Sequence, residues 1–117
     1  MSRQNIGQSG EDIAESYLKR RGLRIIGRNI KRAGVEADIL ARDGKTMVVV
    51  EVKTKTSHDF GLPQEMVGPR KQRQLRRFAR SLLAEHGLIA IRVDVVAVTM
   101  GGGEPEVEHL INVVEDK

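Results

Sequence analysis

There is no cysteine in these 117 residues, no tryptophan, and only two phenylalanines and one tyrosine. Without cysteine the chain has no disulfide, no thiolate nucleophile and no Cys-ligated zinc, which is compatible with a reducing compartment. So few aromatics argue against a platform that stacks unpaired bases, and leave backbone phosphate as the expected contact of any nucleic-acid partner. No stretch approaches the roughly 18 apolar residues of a membrane span, and the start Met1-Ser2-Arg3-Gln4-Asn5 lacks an apolar signal region. The expectation is a cytoplasmic protein with no membrane partner. No repeat, low-complexity tract or linker divides residues 1–117, which read as a single domain able to bury a core without staples.

What is present is charge: 20 Lys and Arg against 16 Asp and Glu, a net +4 that suits an anionic partner without demanding one. The order of elements is α-β-β-β-α-β-β. A first helix is expected from Ser9 to Arg21, with Ser9 and Asp12 as a capping box and Gly22 as its C-terminal cap. A short strand follows from Leu23 to Arg28, then a hairpin around Asp43-Gly44. Thr54 to Pro69 reads as a loop, Arg70 to Glu85 as an amphipathic helix, Leu88 to Val98 as a largely buried strand, and Val107 to Val114 as an edge strand. A hairpin followed by a strand that returns through a helix implies an α/β protein, a mixed five-stranded sheet flanked by helices.

The chemistry gathers on the hairpin. Asp38 precedes Glu51-Val52-Lys53 by thirteen residues, a pattern that arises by chance in so charged a chain. A two-residue Asp-Gly loop strengthens it by pairing Arg42 with Lys45, which sets Asp38 opposite Val49 with Glu51 diagonally beyond, about 7 to 8 Å away. Alternation then puts Glu36, Asp38, Leu40, Met47, Val49, Glu51 and Lys53 on one face. Ala37, Ile39, Ala41, Val48, Val50 and Val52 form a wholly apolar second face. Glu11 borders the buried stripe of the first helix, and Lys71 falls among the apolar positions of the second, pointing toward the sheet. Arg73, Arg76, Arg77 and Arg80 lie on the other side of that helix, either as a solvated face or as a phosphate-binding stripe.

The plainer reading of Asp38, Glu51 and Lys53 is a salt-bridged sheet face. Glu11 has one too, as a solvated first-turn acid favoured by the helix dipole. His58, His86 and His109 have no metal-ligand spacing and read as surface residues, while Arg92 and Asp94 are expected to pair with each other.

Together, Gly7-Gln8-Ser9-Gly10-Glu11, Arg28-Asn29, Glu36-Ala37-Asp38, Glu51-Val52-Lys53, Phe60-Gly61-Leu62-Pro63-Gln64-Glu65, Lys71 and Arg92-Val93-Asp94-Val95-Val96 resemble the PD-(D/E)xK, restriction-endonuclease-like superfamily. Within it they are most similar to the small YraN-like bacterial proteins related to archaeal Holliday-junction resolvases. One departure stands out: where that family has Gly-Glu-x-Asp, this chain has Val35 before Glu36, with its glycine at Gly34, and a Gly-to-Val change can alter the backbone ahead of the Asp strand.

The resemblance implies a restriction-endonuclease-like sheet and a metal-dependent endodeoxyribonuclease that hydrolyses phosphodiesters of DNA, branched DNA included. Its cofactor would be Mg2+ or Mn2+, held by Asp38, Glu51, the Val52 carbonyl and Glu11. Lys53 would orient water or stabilise charge, since the adjacent carboxylates favour its charged form. Lys71, Arg73, Arg76, Arg77 and Arg80 would meet the substrate, and a homodimer would suit a two-fold junction. Two alternatives stay open: a nucleic-acid-binding protein that keeps the fold without the chemistry, and an interaction module whose basic helix docks on an acidic protein.

Overall fold

The structure, a computed structural model, describes residues 4–56, 67–86 and 90–113. The expected order appears as α1 (Gln4–Arg20), β1 (Arg24–Arg32), β2 (Val35–Asp43), β3 (Thr46–Lys55), α2 (Pro69–His86), β4 (Ala90–Thr99) and β5 (Glu106–Leu110). The five strands form one sheet in sequence order, antiparallel except for the β3–β4 pair, which is parallel and spans the crossover that contains α2. The expected α/β architecture is thus observed, with β1 and β5 at the edges. The sequence motif Phe60 to Glu65 and His58 lie outside the described residues.

Both helices are bounded by local chemistry. At the end of α1, Gly22 has φ 91°, Leu23 N–H donates to the Leu18 carbonyl and Gly22 N–H to that of Lys19, each at 3.0 Å. This is the paired bonding of a Schellman cap, which needs a residue able to adopt the left-handed conformation. The start of α1 differs from the sequence reading, because it begins at Gln4 and leaves Ser9 and Asp12 inside the helix. Residues 4–8 contain no proline, and a single interior glycine costs only about 1 kcal/mol. In α2, Gln72 N–H donates to the Gly68 carbonyl, which makes Gly68 the cap and puts Pro69 at the first helical position, where its missing N–H is harmless.

Each helix closes one face of the sheet. Ala14 and Leu18 of α1 pack on Ile39, Ala41, Val48, Val50, Val96 and Val98. Leu75, Phe78, Ala79 and Leu82 of α2 pack on Leu40, Met47, Val49, Val93 and Val95, and each full burial of such a side chain contributes about 1.5 to 3 kcal/mol. Leu83, expected on that apolar face, is instead exposed.

The β1–β2 connection is Ala33-Gly34, with φ 55° and 74°, the two positive values that a type I′ hairpin turn needs. Val35 follows as the first residue of β2, paired with Arg32 and buried in the α2 core. The departure from the family glycine therefore fills the core from a regular strand position.

Alternation along β2 breaks at Asp38. Ala37 and Ile39 should share a face, yet Ala37 joins the α2 core and Ile39 the α1 core. On β1 the residue between the Arg28↔Ile39 and Ile30↔Ala37 pairs is Asn29, which has φ 53°. The expected wholly apolar face thus loses Ala37, because both strands depart from regular geometry at this level.

Candidate active site

The β2–β3 loop is Gly44-Lys45 rather than Asp43-Gly44, and Asp43 pairs with Thr46. Gly44, at φ 60°, occupies the first loop position, the one a type II′ turn reserves for glycine. The register moves by two residues, so face parity survives. Asp38 lies just past the last β2–β3 pair, Ile39↔Val50, where its carboxylate meets the β3 backbone at Val52 and feels the Glu51 charge.

Asp38 is half-buried and its Oδ2 accepts a hydrogen bond from Val52 N–H at 2.7 Å. Glu51 is buried, and the ammonium groups of Lys53 and Lys71 stand 3.5 and 3.6 Å from its Oε2. Its Oε1 is buried without a hydrogen-bond partner. Burial first, then the charge of Glu51 and a hydrogen bond with it, push the Asp38 carboxyl up to about 6, against the Val52 hydrogen bond and the Lys71 charge, which lower it. Asp38, Glu51, Lys53 and Lys71 are therefore brought together from β2, β3 and α2, as the sequence expected of them.

Lys71 owes its place to the start of α2. Val67 is buried in the α2 core, its carbonyl accepts Gln72 Nε2 at 2.9 Å, and the first helical turn follows at once.

The other predicted site residues lie elsewhere. Glu11 is 3.3 Å from Arg28 Nη2, and the same guanidinium pairs with Asp12 and with Glu15. Among the described residues no group of three acids or histidines forms a metal cluster, so Glu11 does not join the carboxylate pair. At Val52 the recorded contact is through the amide. Arg77 Nε donates to the Ala33 carbonyl at 3.1 Å, Arg73 is exposed, and Arg76 and Arg80 flank a groove floored by Ala79, Ile91 and Val93. Glu36 is exposed.

A second polar cluster escaped the sequence reading in part. Arg92 Nε does bind Asp94, at 3.1 and 3.2 Å from its two oxygens, but Asp94 is fully buried and also receives the Asn112 amide at 2.9 Å. His109 is no surface residue: its side chain is buried, Nε2 lies 2.8 Å from Asp94 Oδ2, and its ring meets Tyr17 edge-on. The signal was the acid inside the apolar run Val93 to Val98, since a charge there requires partners. Burial works to raise the Asp94 carboxyl, but the hydrogen bonds from His109, Asn112 and Arg92 prevail and hold it below the usual range.

Two carboxylates, one with an unpartnered buried oxygen, suit a hard divalent cation that takes oxygen ligands and keeps several waters. No helix among the described residues is long and apolar enough to cross a membrane.

A model of the family described as "Uncharacterised protein family UPF0102" matches residues 10–98. UPF0102 proteins of Geobacter sulfurreducens and Syntrophotalea carbinolica are 45% and 48% identical, covering 94% and 92% of this chain and 88% and 89% of their own. One from an Arthrobacter species is 44% identical over 90% of this chain and 92% of its own. Among solved structures, Pyrococcus furiosus SfsA in complex with Ca2+ aligns with a TM-score of 0.45 at 17% identity, over 97% of this chain and 65% of that one.

Proposed function

The chain belongs to the UPF0102 family, the YraN-like group its motifs resemble, and we propose that it is a metal-dependent nuclease that hydrolyses phosphodiesters of DNA. The observation that carries this reading is the buried Glu51 carboxylate, with one oxygen unpartnered and the other facing two ammonium groups, beside a second acid, Asp38. Buried polar atoms are as a rule hydrogen-bonded, so an acid that holds an unpartnered buried oxygen beside a second acid suits a ligand.

Asp38 and Glu51 would hold a magnesium or manganese ion. Such an ion supplies Lewis-acid neutralisation of phosphoryl oxygen and a more acidic water. The protein's own groups do the remaining work. The Val52 amide fixes the Asp38 carboxylate, so the acid needs no reorganisation when substrate arrives. Lys53, next but one to Glu51 on the same strand, puts positive charge where charge gathers on the transferring phosphoryl group. Lys71 brings a second charge from α2, and exposed Arg73 lies further along the same helix for backbone phosphate.

The test is Mg2+-dependent nicking of branched and linear DNA, and of RNA, by the wild type and by Asp38→Ala and Lys53→Ala. The reading expects cleavage by the wild type and loss of at least about a hundred-fold in both variants. Equal residual cleavage by all three proteins would remove the catalytic reading and leave a DNA-binding protein with a nuclease-like site.

A further inference from the structure

The two lysines at Glu51 differ in what they face. Lys53 belongs to the same strand as Glu51, two residues on, and pairs with it at 3.5 Å. Lys71 arrives from another element, 3.6 Å from Glu51 Oε2, and its charge also bears on Asp38. It is thus a cation that pairs with Glu51 and whose charge is felt by Asp38, the two acids that would hold a divalent ion. Two carboxylates that meet from neighbouring strands repel each other, and burial strengthens that repulsion. The Lys71 ammonium beside Glu51 offsets it without any metal.

The attachment of Lys71 is suited to exchange. Its backbone is held by buried Val67, the Gln72 bracket and the Gly68 cap, while its side chain remains about one third exposed. A long flexible stem on a fixed anchor can leave Glu51 while α2 stays in place.

We propose that Lys71 is a built-in counter-ion that occupies the Asp38–Glu51 site when no metal is bound and competes with the divalent ion for it. The inference rests on the metal-site reading above. Entry of the ion frees the Lys71 ammonium, which then serves the nearest anion, the backbone phosphate of the substrate. The site therefore fills most readily when metal and nucleic acid arrive together, because phosphate gives the displaced ammonium a partner.

Binding of Mn2+ alone, followed by electron paramagnetic resonance without DNA, tests this in the full chain. Lys71→Met should bind Mn2+ roughly three- to ten-fold more tightly than the wild type, the effect of removing one partly screened positive charge. Lys71→Arg, which keeps the charge, should bind as the wild type does. Duplex DNA that is not cleaved should tighten Mn2+ binding in the wild type and do so less in Lys71→Met. Circular dichroism and melting of each variant establish that it is folded. If the wild type binds Mn2+ and folded Lys71→Met binds it equally or more weakly, the counter-ion role is overturned and the metal site stands. If neither protein binds Mn2+, the metal-site reading falls and the counter-ion role with it.

Discussion

Asp38 Oδ2 accepts the Val52 amide hydrogen at 2.7 Å, so an acid on β2 is fixed by the backbone of the strand that carries Glu51. That bond does not need the negative charge. Asp38→Asn keeps an acceptor for Val52 while removing the charge that burial and Glu51 make unfavourable. The metal-free variant should therefore unfold at a higher denaturant concentration than the wild type at pH 7, by about 1 kcal/mol after allowance for partial exposure. Melting with and without Mn2+ completes the measurement, since the variant should lose the metal-induced rise in melting temperature that the wild type shows. A functional site that costs the fold stability is a familiar trade.

The same group predicts a pH dependence. The folded protein holds the Asp38 proton up to about pH 6, above the ordinary carboxyl value of 3.8, so it binds that proton more tightly than the unfolded chain. Its contribution is favourable on the acid side and is lost as pH rises from about 4 through about 6. Denaturant titrations of wild type and Asp38→Asn across that interval should differ in slope, with the wild type losing stability relative to the variant. Saturating Mn2+ should abolish the difference in slope by holding the carboxylate ionised.

Much of this site was legible because β-strand parity is robust. The loop was misplaced by one residue at each end, yet a register shift of two leaves the faces of residues 39–43 unchanged, and Asp38, just past that ladder, stays in the site through its bond to Val52. The shift was hidden because Asp43-Gly44 and Gly44-Lys45 are both acceptable loops that put Gly44 at positive φ, and what decides between them is that Asp43 stays in the strand, paired with Thr46. Ala37 was misread for a different reason: alternation presumes regular strands, and Asn29 in the left-handed region marks where β1 leaves that geometry. Lys71 was found from helical periodicity alone. The partnership of Glu11 with Arg28 was not, because periodicity places a residue on a helix face but says nothing of which strand residue meets it. His109 was missed because its partner lies fifteen residues away on a neighbouring strand.

Asp94 should act on stability with the sign opposite to Asp38. Its folded-state value is held below the unfolded one, so its contribution is present above the ordinary carboxyl value and is lost as pH falls through the lower folded value. Asp94→Asn would weaken the charge-assisted bonds that the buried carboxylate makes with His109, the Asn112 amide and Arg92, leaving the half-buried guanidinium with Asp43 as its ionised partner, and should cost about 1 to 3 kcal/mol in urea unfolding at pH 7. Below pH 4 the gap between variant and wild type should narrow. A gap that stayed constant down to acid unfolding would show that packing, not charge, makes Asp94 matter.

Gly10 tests how closely α1 must approach the strand that carries the site. A Cβ built there would stand 2.0 Å from Thr54 Oγ1 and 3.1 Å from Thr54 Cβ, and Thr54 is the neighbour of Lys53. Alanine in a helix interior would ordinarily gain about 1 kcal/mol over glycine. Here that gain should be outweighed, because the new methyl must push either the Thr54 hydroxyl or the helix itself, at about 1 to 3 kcal/mol for overpacking. Gly10→Ala should therefore be net destabilising in urea unfolding, whereas Thr54→Ala removes the obstructing oxygen and leaves a contact that a few tenths of an ångström can relieve. The double variant Gly10→Ala/Thr54→Ala should be more stable than the sum of the two single changes allows, with a coupling of at least about 0.5 kcal/mol. Strict additivity would mean that α1 does not rest on Thr54, and that it meets the site strand through Val48 and Val50 instead.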